Sequence, residues 1–367
     1  MAGSRIITHD QITEQRLRNQ YLTRVGFRQP GEVVAWFGAI QAQEFEPAKW
    51  GLRLRMRNRP ISGEIQRAFD EGSILRTHVM RPTWHFVSPA DIRWLIDLTG
   101  SRVQRLMSTY DRQLGLDERT HIRATTLIEA ALGDRNYLTR AELGERLRFA
   151  GLTIDGVRLA HVAMYAELEG VICSGPRRGK QSTYGLIAER APTAISLSRD
   201  EALATLARRY FASHGPATIR DFVWWSGLAT ADAKRGLEMN QARRTDVDGL
   251  TYWTVERSPR GAARDDLLHL LPIYDEYIVA YRDREAVPHG PSKIVSGSRQ
   301  TESVTFQHTL VIAGRVAGTW RHMQSKKTAA IDVVPLRRLS RLEQRAINEA
   351  AARYEQFLST PVRCSIR

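Results

Sequence analysis

Leu138-Thr139-Arg140-Ala141-Glu142-Leu143 opens the stretch of this chain that decides its fold. Thr139 with Glu142 three residues later forms a capping box, which predicts a helix over 138–149, between helices predicted over 120–132 and 157–169. Two short extended runs follow, at 170–173 and 183–187, and the basic loop Pro176-Arg177-Arg178-Gly179-Lys180 joins them. Helices followed by a hairpin with a basic tip are typical of a winged helix.

The same order of elements occurs on both sides of this stretch. Upstream, four predicted helices precede two extended runs, at 11–25, 30–39, 47–56 and 64–71 for the helices and at 74–80 and 81–87 for the runs. Downstream, three predicted helices lead to a hairpin over 246–255 with the turn Asp248-Gly249, the helices being 199–213, 218–225 and 230–240.

From about residue 264 the pattern changes to strand-like runs, and a predicted helix over 340–358 closes the chain. The sequence therefore predicts an α+β protein with three tandem winged-helix units and a C-terminal mixed β domain. The predicted boundaries are 1–118, 119–195, 196–262 and 263–367.

Charge favours a polyanionic partner. The chain has 54 Lys and Arg against 40 Asp and Glu, a formal net charge of +14, and only 6 of the 54 basic residues are Lys, which leaves 48 Arg. A genome of high G+C content would also raise the share of Arg, but it would not create the net charge. Tandem winged helices on a basic chain predict double-stranded DNA as the partner, because each unit can offer a helix to a groove and a hairpin to the backbone.

Several other classes of protein do not fit the sequence. No run approaches the roughly 18 apolar residues that a membrane span requires, and the first residues lack the apolar segment of a signal peptide. Cys173 and Cys364 form no CxxC pair, and the ten His residues show no metal-binding spacing. We expect a cytoplasmic, nucleoid-associated monomer with no metal and no cofactor.

Two glutamines follow the apolar run 33–40 directly, as Gln41-Ala42-Gln43-Glu44. Glutamine is costly to bury unless its hydrogen bonds are made, so the pair indicates side chains directed at a cleft or a partner. A helix end or turn with solvated amides would give the same spacing.

Several segments together resemble the AlkZ/YcaQ-type DNA glycosylases, a winged-helix family. They occur in the family's order and span nearly the whole chain: 38–43, 49–55, 80–87, 214–219, 224–228 and 271–277. The resemblance implies a glutamine-apolar-glutamine active-site motif at Gln41, Ala42 and Gln43. It also implies a monofunctional glycosylase that removes alkylated purines from DNA and unhooks interstrand crosslinks, usually for self-resistance in an antibiotic producer.

The chemistry explains why glutamine could suffice. Alkylation at N7 of guanine or N3 of adenine gives the base a positive charge, so it can leave without a general acid. The enzyme then needs to place a water under C1′ and to stabilise an oxocarbenium-like sugar. A carboxamide oxygen can accept a hydrogen bond from that water, although Glu44 could serve as a stronger base.

DNA contacts are predicted at basic and hairpin residues: Lys49, Arg53, Arg55, Arg81, Thr83, Trp84, His85, Arg177, Arg178 and Lys180. Trp84 could instead belong to the core, and Lys49 could be the nucleophile of a bifunctional lyase if its amine were desolvated. Asp275 and Glu276 could brace a domain junction or face the DNA.

Two other functions remain open on sequence alone. A winged-helix DNA-binding protein without catalysis, either a regulator or an adduct-sequestering resistance protein, would share most of these features. A housekeeping glycosylase for small lesions is the other alternative, and Gln43 disfavours it because the broader enzymes are associated with aspartate at that position.

Overall fold

The computed structural model describes residues 8–24, 26–255, 268–282, 293–296, 300–303, 306–325 and 328–367. The boundary predicted between 262 and 263 therefore lies outside the described residues. The helices are α1 His9–Asn19, α2 Pro30–Phe37, α3 Phe45–Leu54, α4 Ser62–Asp70, α5 Ile92–Gln113, α6 Glu118–Leu132, α7 Arg140–Phe149, α8 Gly156–Leu168, α9 Ile187–Arg190, α10 Arg199–Ser213, α11 Ile219–Ser226, α12 Thr230–Glu238, α13 Glu276–Val279 and α14 Arg341–Leu358.

The strands form small separate sheets. They are β1 Ala39–Gln41, β2 Leu75–His78, β3 Trp84–Val87, β4 Leu138–Thr139, β5 Ile172–Arg178, β6 Gln181–Leu186, β7 Arg243–Val247, β8 Leu250–Thr254, β9 Leu268–Leu271, β10 Lys293–Ser296, β11 Gln300–Ser303, β12 His308–Ile312, β13 Arg315–Gln324, β14 Ala329–Pro335 and β15 Val362–Ile366. The orders are β1-β3-β2, β4-β6-β5, β7-β8, β10-β11 and β15-β14-β13-β12-β9.

The sheet β1-β3-β2 carries the glutamine motif. Helix α2 ends at Phe37. Its C-cap residue Gly38 has a φ of +85°, which suits glycine, and the chain then continues directly into β1. Ala39 pairs with Val87 on β3, which pairs with Leu75 on β2, and all three lie in one hydrophobic cluster with α5 and α10. The next residue, Ile40, joins a second cluster on the opposite face of the sheet.

Residues 118–186, which include the capping box at Thr139, form α6, α7, α8 and the hairpin β5–β6, with a hydrophobic cluster of their own. The predicted capping box is confirmed: Glu142 N–H donates to the Thr139 hydroxyl, and the Glu142 carboxylate accepts from the Thr139 N–H. The helix begins at Arg140, as this cap requires.

Helices α10, α11 and α12 are followed by the hairpin β7–β8, as predicted. Its turn residues Asp248 and Gly249 have φ of +48° and +77°, the left-handed values of a tight hairpin turn.

The five-stranded C-terminal sheet packs against α14 and shares a hydrophobic cluster with α2–α4. The Trp50 indole N–H donates to the Leu270 carbonyl on β9 at 2.7 Å, which ties α3 to this sheet.

Some helices and strands were not predicted from the sequence. Helix α5, at 22 residues, follows β3 where no helix was predicted, and β1 and β15 were also missed. Helix α1 ends at Asn19, earlier than the predicted end at residue 25. The mixed helix and strand composition is confirmed, while the grouping into three tandem winged helices stays a prediction.

Candidate active site

The glutamine motif lies at the end of an edge strand. Gln41 is the last residue of β1 and is paired in register with His85 on β3. The Ala42 N–H donates to the Trp84 carbonyl at 2.8 Å, so Ala42 makes the last ladder bond. Because ladder bonds alternate along an antiparallel strand, the Gln41 N–H points away from β3 toward the open edge of the sheet.

A buried carboxylate accepts that edge N–H. Glu276 Oε1 lies 2.6 Å from the Gln41 nitrogen, and the Glu276 residue is 1% exposed. Its Oε2 accepts from the Trp225 indole at 2.9 Å and from His214 Nε2 at 3.2 Å. Burial lowers the pKa of His214, and the Glu276 carboxylate partly opposes that shift.

A buried arginine holds the other side of the motif. Arg76 donates from Nε to the Ala42 carbonyl at 2.9 Å and from Nη2 to the Gln43 carbonyl at 3.1 Å. Its guanidinium lies 4.3 Å from the centre of the Trp84 ring. Burial lowers the pKa of Arg76 to about 10, so the group keeps its charge at neutral pH.

The three candidate catalytic side chains differ in their surroundings. Gln41 is 8% exposed, and its Oε1 is a buried acceptor that has no hydrogen-bond partner among the described residues. Gln43 is half-buried, and its Oε1 accepts the Trp84 N–H at 3.3 Å. Glu44 is exposed at the N-cap position of α3, where its side chain makes no capping bond. The motif thus runs from the interior to the surface.

A row of polar groups crosses the sheet beside Gln41. Thr77, His85 and Gln41 are in register on β2, β3 and β1, so their side chains leave the sheet on one face. Within the described part of the chain, the Thr77 hydroxyl and His85 Nε2 are also buried without a partner. His85 Nδ1–H donates to the Thr83 carbonyl at 2.9 Å. Burial, with Arg81 nearby, lowers the pKa of His85 well below its usual value, so its ring is neutral.

The DNA contacts predicted on the hairpin β2–β3 are largely buried. His85 was predicted to contact DNA, but it is fully buried, so its ring does not reach the surface. The Thr83 hydroxyl and the Nε and Nη2 of half-buried Arg81 are buried atoms. Trp84 is half-buried, and its indole N–H donates to Glu167 at 3.2 Å.

Three of the predicted DNA contacts, two on α3 and one at its C-cap, are buried residues. Lys49, Arg53 and Arg55 are 3%, 2% and 2% exposed. Lys49 Nζ lies 2.7 Å from Glu46, and burial lowers the pKa of this lysine. Arg53 Nε donates to the Pro60 carbonyl at 3.0 Å, and Arg55 makes internal bonds described below. Each of these three side chains is inside the protein, which does not favour the predicted phosphate contacts.

The hairpin β5–β6 carries the remaining predicted contacts. Arg177 has a side chain only 12% exposed and pairs with Glu46 at 2.7 Å. Arg178 is exposed but pairs with Glu142 at 2.6 Å, which with the Thr139 cap lowers the pKa of Glu142 to about 2. Lys180 is exposed at the tip. Only Arg178 and Lys180 keep a surface position suited to DNA contact.

A cleft of about 1010 Å³ opens beside the motif. Arg76 and Trp84, which touch Gln43, line one side of it, and α7, α8 and β6 line the other. Drug-sized ligands bind in pockets of comparable volume. The cleft thus lies mainly along α7, α8 and β6, and it meets the motif only through Arg76 and Trp84.

The family model for the DNA glycosylase AlkZ-like family matches residues 34–357. The chain belongs to the AlkZ-like family of DNA glycosylases. It is similar to an interstrand DNA cross-link repair glycosylase of Streptomyces sahachiroi, at 26% identity over 358 residues that cover 93% of this chain and 94% of that protein. The structure of the Streptomyces sahachiroi DNA glycosylase AlkZ has a TM-score of 0.77 and 22% identity, covering 99% of this chain and 100% of that one.

This AlkZ-like chain is therefore an enzyme that acts on DNA, and the reading as a non-catalytic DNA-binding protein is set aside. None of the helices in the described ranges is long and apolar enough to cross a membrane. No cluster of His, Cys, Asp or Glu side chains among the described residues is arranged to hold a metal ion.

Sequence reasoning missed several groups around the AlkZ-like motif. Arg76 was not singled out, although an arginine within an apolar extended run is a signal of internal hydrogen bonding. His214 and Trp225 lie in segments that carry the family resemblance, but nothing in their spacing shows that they meet Glu276. Trp225 is fully buried, whereas its neighbour Trp224 is 43% exposed.

Proposed function

We propose that this chain is a monofunctional DNA glycosylase that hydrolyses the N-glycosidic bond of cationic N7- or N3-alkylated purines in duplex DNA. Its substrates include bulky and interstrand-crosslinked N7-guanine adducts, and its role is self-resistance to a genotoxin. It acts as a monomer on the nucleoid. The name of the Streptomyces sahachiroi relative supports crosslink repair.

One observation carries the catalytic assignment. The Gln41 carboxamide oxygen is an unpartnered acceptor at the end of β1, in a motif that two buried charged residues hold on either side. An acceptor of this kind can orient a water by one of its hydrogens, leaving an oxygen lone pair directed at C1′. Because the alkylated base already carries a positive charge, no general acid is required.

Gln43 and Glu44 complete the proposed site. The Gln43 oxygen is bound to the Trp84 N–H, so its NH2 group is the part free to contact the DNA backbone or the sugar. Glu44 is solvated on the surface side, where its charge can stabilise the cationic sugar less than a buried carboxylate would. We therefore assign water placement to Gln41, backbone or sugar contact to Gln43 and a minor role to Glu44.

The cleft beside the motif supports bulky substrates. A crosslinked base is tied to both strands and cannot rotate freely into a closed pocket, so unhooking requires open space next to the reacting sugar. The cleft has a volume of about 1010 Å³, and Arg76 and Trp84 line the part of it nearest the motif. We propose that the non-base part of the adduct lies there, while Arg178 and Lys180 contact the backbone as part of a concave basic surface of three winged-helix units.

The test is base release under single-turnover conditions. Wild type, Gln41→Ala, Gln43→Ala and Glu44→Gln are incubated with duplex DNA containing 7-methylguanine, and separately with an azinomycin-type crosslink. We expect a loss of about 100-fold for Gln41→Ala, the size found when one positioned polar group is removed from an active site. Glu44→Gln serves as the matched control beside the motif, with a much smaller loss.

DNA affinity is measured for every variant across a salt series. Unchanged affinity with lost release is expected for Gln41→Ala, because its role is catalytic, whereas Gln43→Ala removes a DNA contact and should also bind somewhat more weakly. Equal rates for Gln41→Ala and wild type would overturn the assignment. Efficient release of 7-methylguanine with no unhooking would favour the housekeeping role.

A further inference from the structure

Glu276 is the one carboxylate among the described contacts of the motif backbone. It is the first residue of the short helix α13, far from Gln41 in sequence, and it is 1% exposed. Burying a carboxylate is unfavourable unless hydrogen bonds replace its hydration, and here three N–H donors do so. We therefore expect the contacts of the buried Glu276 carboxylate to show a specific role.

One oxygen of Glu276 pairs with the open edge of β1. The Gln41 N–H has no strand partner on its outer side, and Glu276 Oε1 accepts it at 2.6 Å. This short charge-assisted bond fixes the backbone of the last residue of the strand. Fixing that backbone limits where the Gln41 side chain can go.

The second oxygen of Glu276 connects the motif to two other helices. Oε2 accepts from Trp225 on α11 and from His214 at the C-cap of α10. Both donors are fully buried and sit among stacked aromatic rings, with the Tyr210 and His214 ring centres 4.7 Å apart. The carboxylate is therefore held in place by rigid parts of the fold.

The neighbouring Asp275 holds the other end of the same segment. It accepts two bonds of 2.8 Å from Arg55, the C-cap residue of α3, which begins just after the motif. Two consecutive acidic residues thus bind the backbone of Gln41 and the far end of α3.

We propose that Glu276 is a positioning residue for base release, acting through the backbone of Gln41. This inference rests on the proposed function of Gln41. The carboxylate is required because the Gln41 backbone N–H and the Trp225 indole N–H can only donate and each binds a different oxygen, so the NH2 group of a glutamine would face one of them.

The experiment compares Glu276→Gln with Trp94→Phe in the full chain. Trp94 is a matched control, because its buried indole also donates to a carboxylate, Asp91, at 3.0 Å. Three quantities are measured for each variant: the single-turnover rate of 7-methylguanine release, the affinity for the same DNA, and hydrogen exchange of the peptide covering 39–44 in the free protein.

For Glu276→Gln we expect a release rate about 10- to 100-fold lower, the size of effect that a small misplacement produces, with unchanged DNA affinity and faster exchange at 39–44. Trp94→Phe is expected to lower Tm while leaving the rate and the exchange of 39–44 at wild-type values. Should Glu276→Gln fail to fold, Glu276→Asp keeps the charge and shortens the reach to Gln41, and the same changes are expected.

Wild-type rate and exchange in either folded Glu276 variant would overturn the positioning role. So would equal loss of rate in Trp94→Phe, since any destabilisation would then slow the enzyme. If wild type releases no base, the proposed function fails, whereas the exchange measurement still decides whether Glu276 holds Gln41.

Discussion

Replacing Arg55 with methionine tests whether this arginine braces the fold or contacts DNA. Its two terminal nitrogens donate to the two oxygens of Asp275, both at 2.8 Å, and also to the Gly51 carbonyl at 2.9 Å and Gln20 at 3.1 Å. The two ionic side chains are 3% and 1% exposed. Removing one partner of such a buried pair leaves an uncompensated charge, which costs about 3–5 kcal/mol of unfolding free energy.

The assay combines urea unfolding with DNA affinity across a salt series. We expect Arg55→Met to lower the unfolding midpoint strongly while the slope of log affinity against log salt stays at its wild-type value. A phosphate contact would instead reduce that slope by about 0.9 per contact. Lys180→Met, at the exposed hairpin tip, is the control with the opposite expectation: unchanged stability and a smaller slope.

The double variant Arg55→Met with Asp275→Asn removes both charges and should be more stable than the sum of the single changes predicts, because no unpaired charge remains. A smaller salt slope for Arg55→Met with unchanged stability would refute the internal role and restore the DNA contact predicted from the sequence.

Three further predictions follow from other parts of the structure. Ser182→Trp on β6 should narrow the cleft and slow release of a bulky N7-guanine adduct, with 7-methylguanine release unchanged and Ser182→Ala as control; equal slowing of both substrates would contradict the proposed place of the adduct. Borohydride should trap no covalent complex between wild type and abasic or alkylated DNA: burial lowers the pKa of Lys49, as a lyase requires, but the side chain is only 4% exposed and is paired with Glu46, so it cannot reach the sugar. A trapped complex that Lys49→Gln abolishes would show lyase chemistry. Burial lowers the folded-state pKa of His308 to about 4, so the unfolded state binds more protons below pH about 6.5, and stability should fall as pH drops from about 6.5 to about 4; His308→Gln should weaken this dependence in urea unfolding at several pH values, and an unchanged dependence would contradict it.

Local signals predicted most of the helices and hairpins. The Thr139–Glu142 capping box and the Asp248-Gly249 turn depend on neighbours within four residues, and both are present in the structure. Helix α5 was missed although Ser88-Pro89 and the N-cap residue Asp91 separate it from β3, so a local signal was present and was not used. The pairing of β1 with β3 could not be predicted, since a three-residue strand carries too little periodicity.

The candidate site was only partly predictable for the same reason. Gln41 and Gln43 stand out in the sequence because two amides after an apolar run are unusual. The groups that hold them come from distant segments: Arg76 lies on β2, which is separated from β1 by β3, and Glu276 is 235 residues from Gln41. No local pattern specifies contacts of that separation.

The arginine content shows most clearly how tertiary contacts alter a sequence-based expectation. Arg16, Arg53, Arg55 and Arg76 are all at most 7% exposed, and their guanidinium groups bind carbonyls or carboxylates of other segments. A planar guanidinium with five donors is as suited to backbone carbonyls inside a protein as to phosphate on its surface. Buried Arg53 and Arg55 stand in the same basic stretch as exposed Arg57. The local charge therefore cannot show whether an arginine binds groups inside the protein or contacts DNA. The net charge of +14 therefore predicts DNA as the partner better than it predicts which arginines contact DNA. The salt slope of a surface variant such as Lys180→Met, compared with that of Arg55→Met, measures this difference directly.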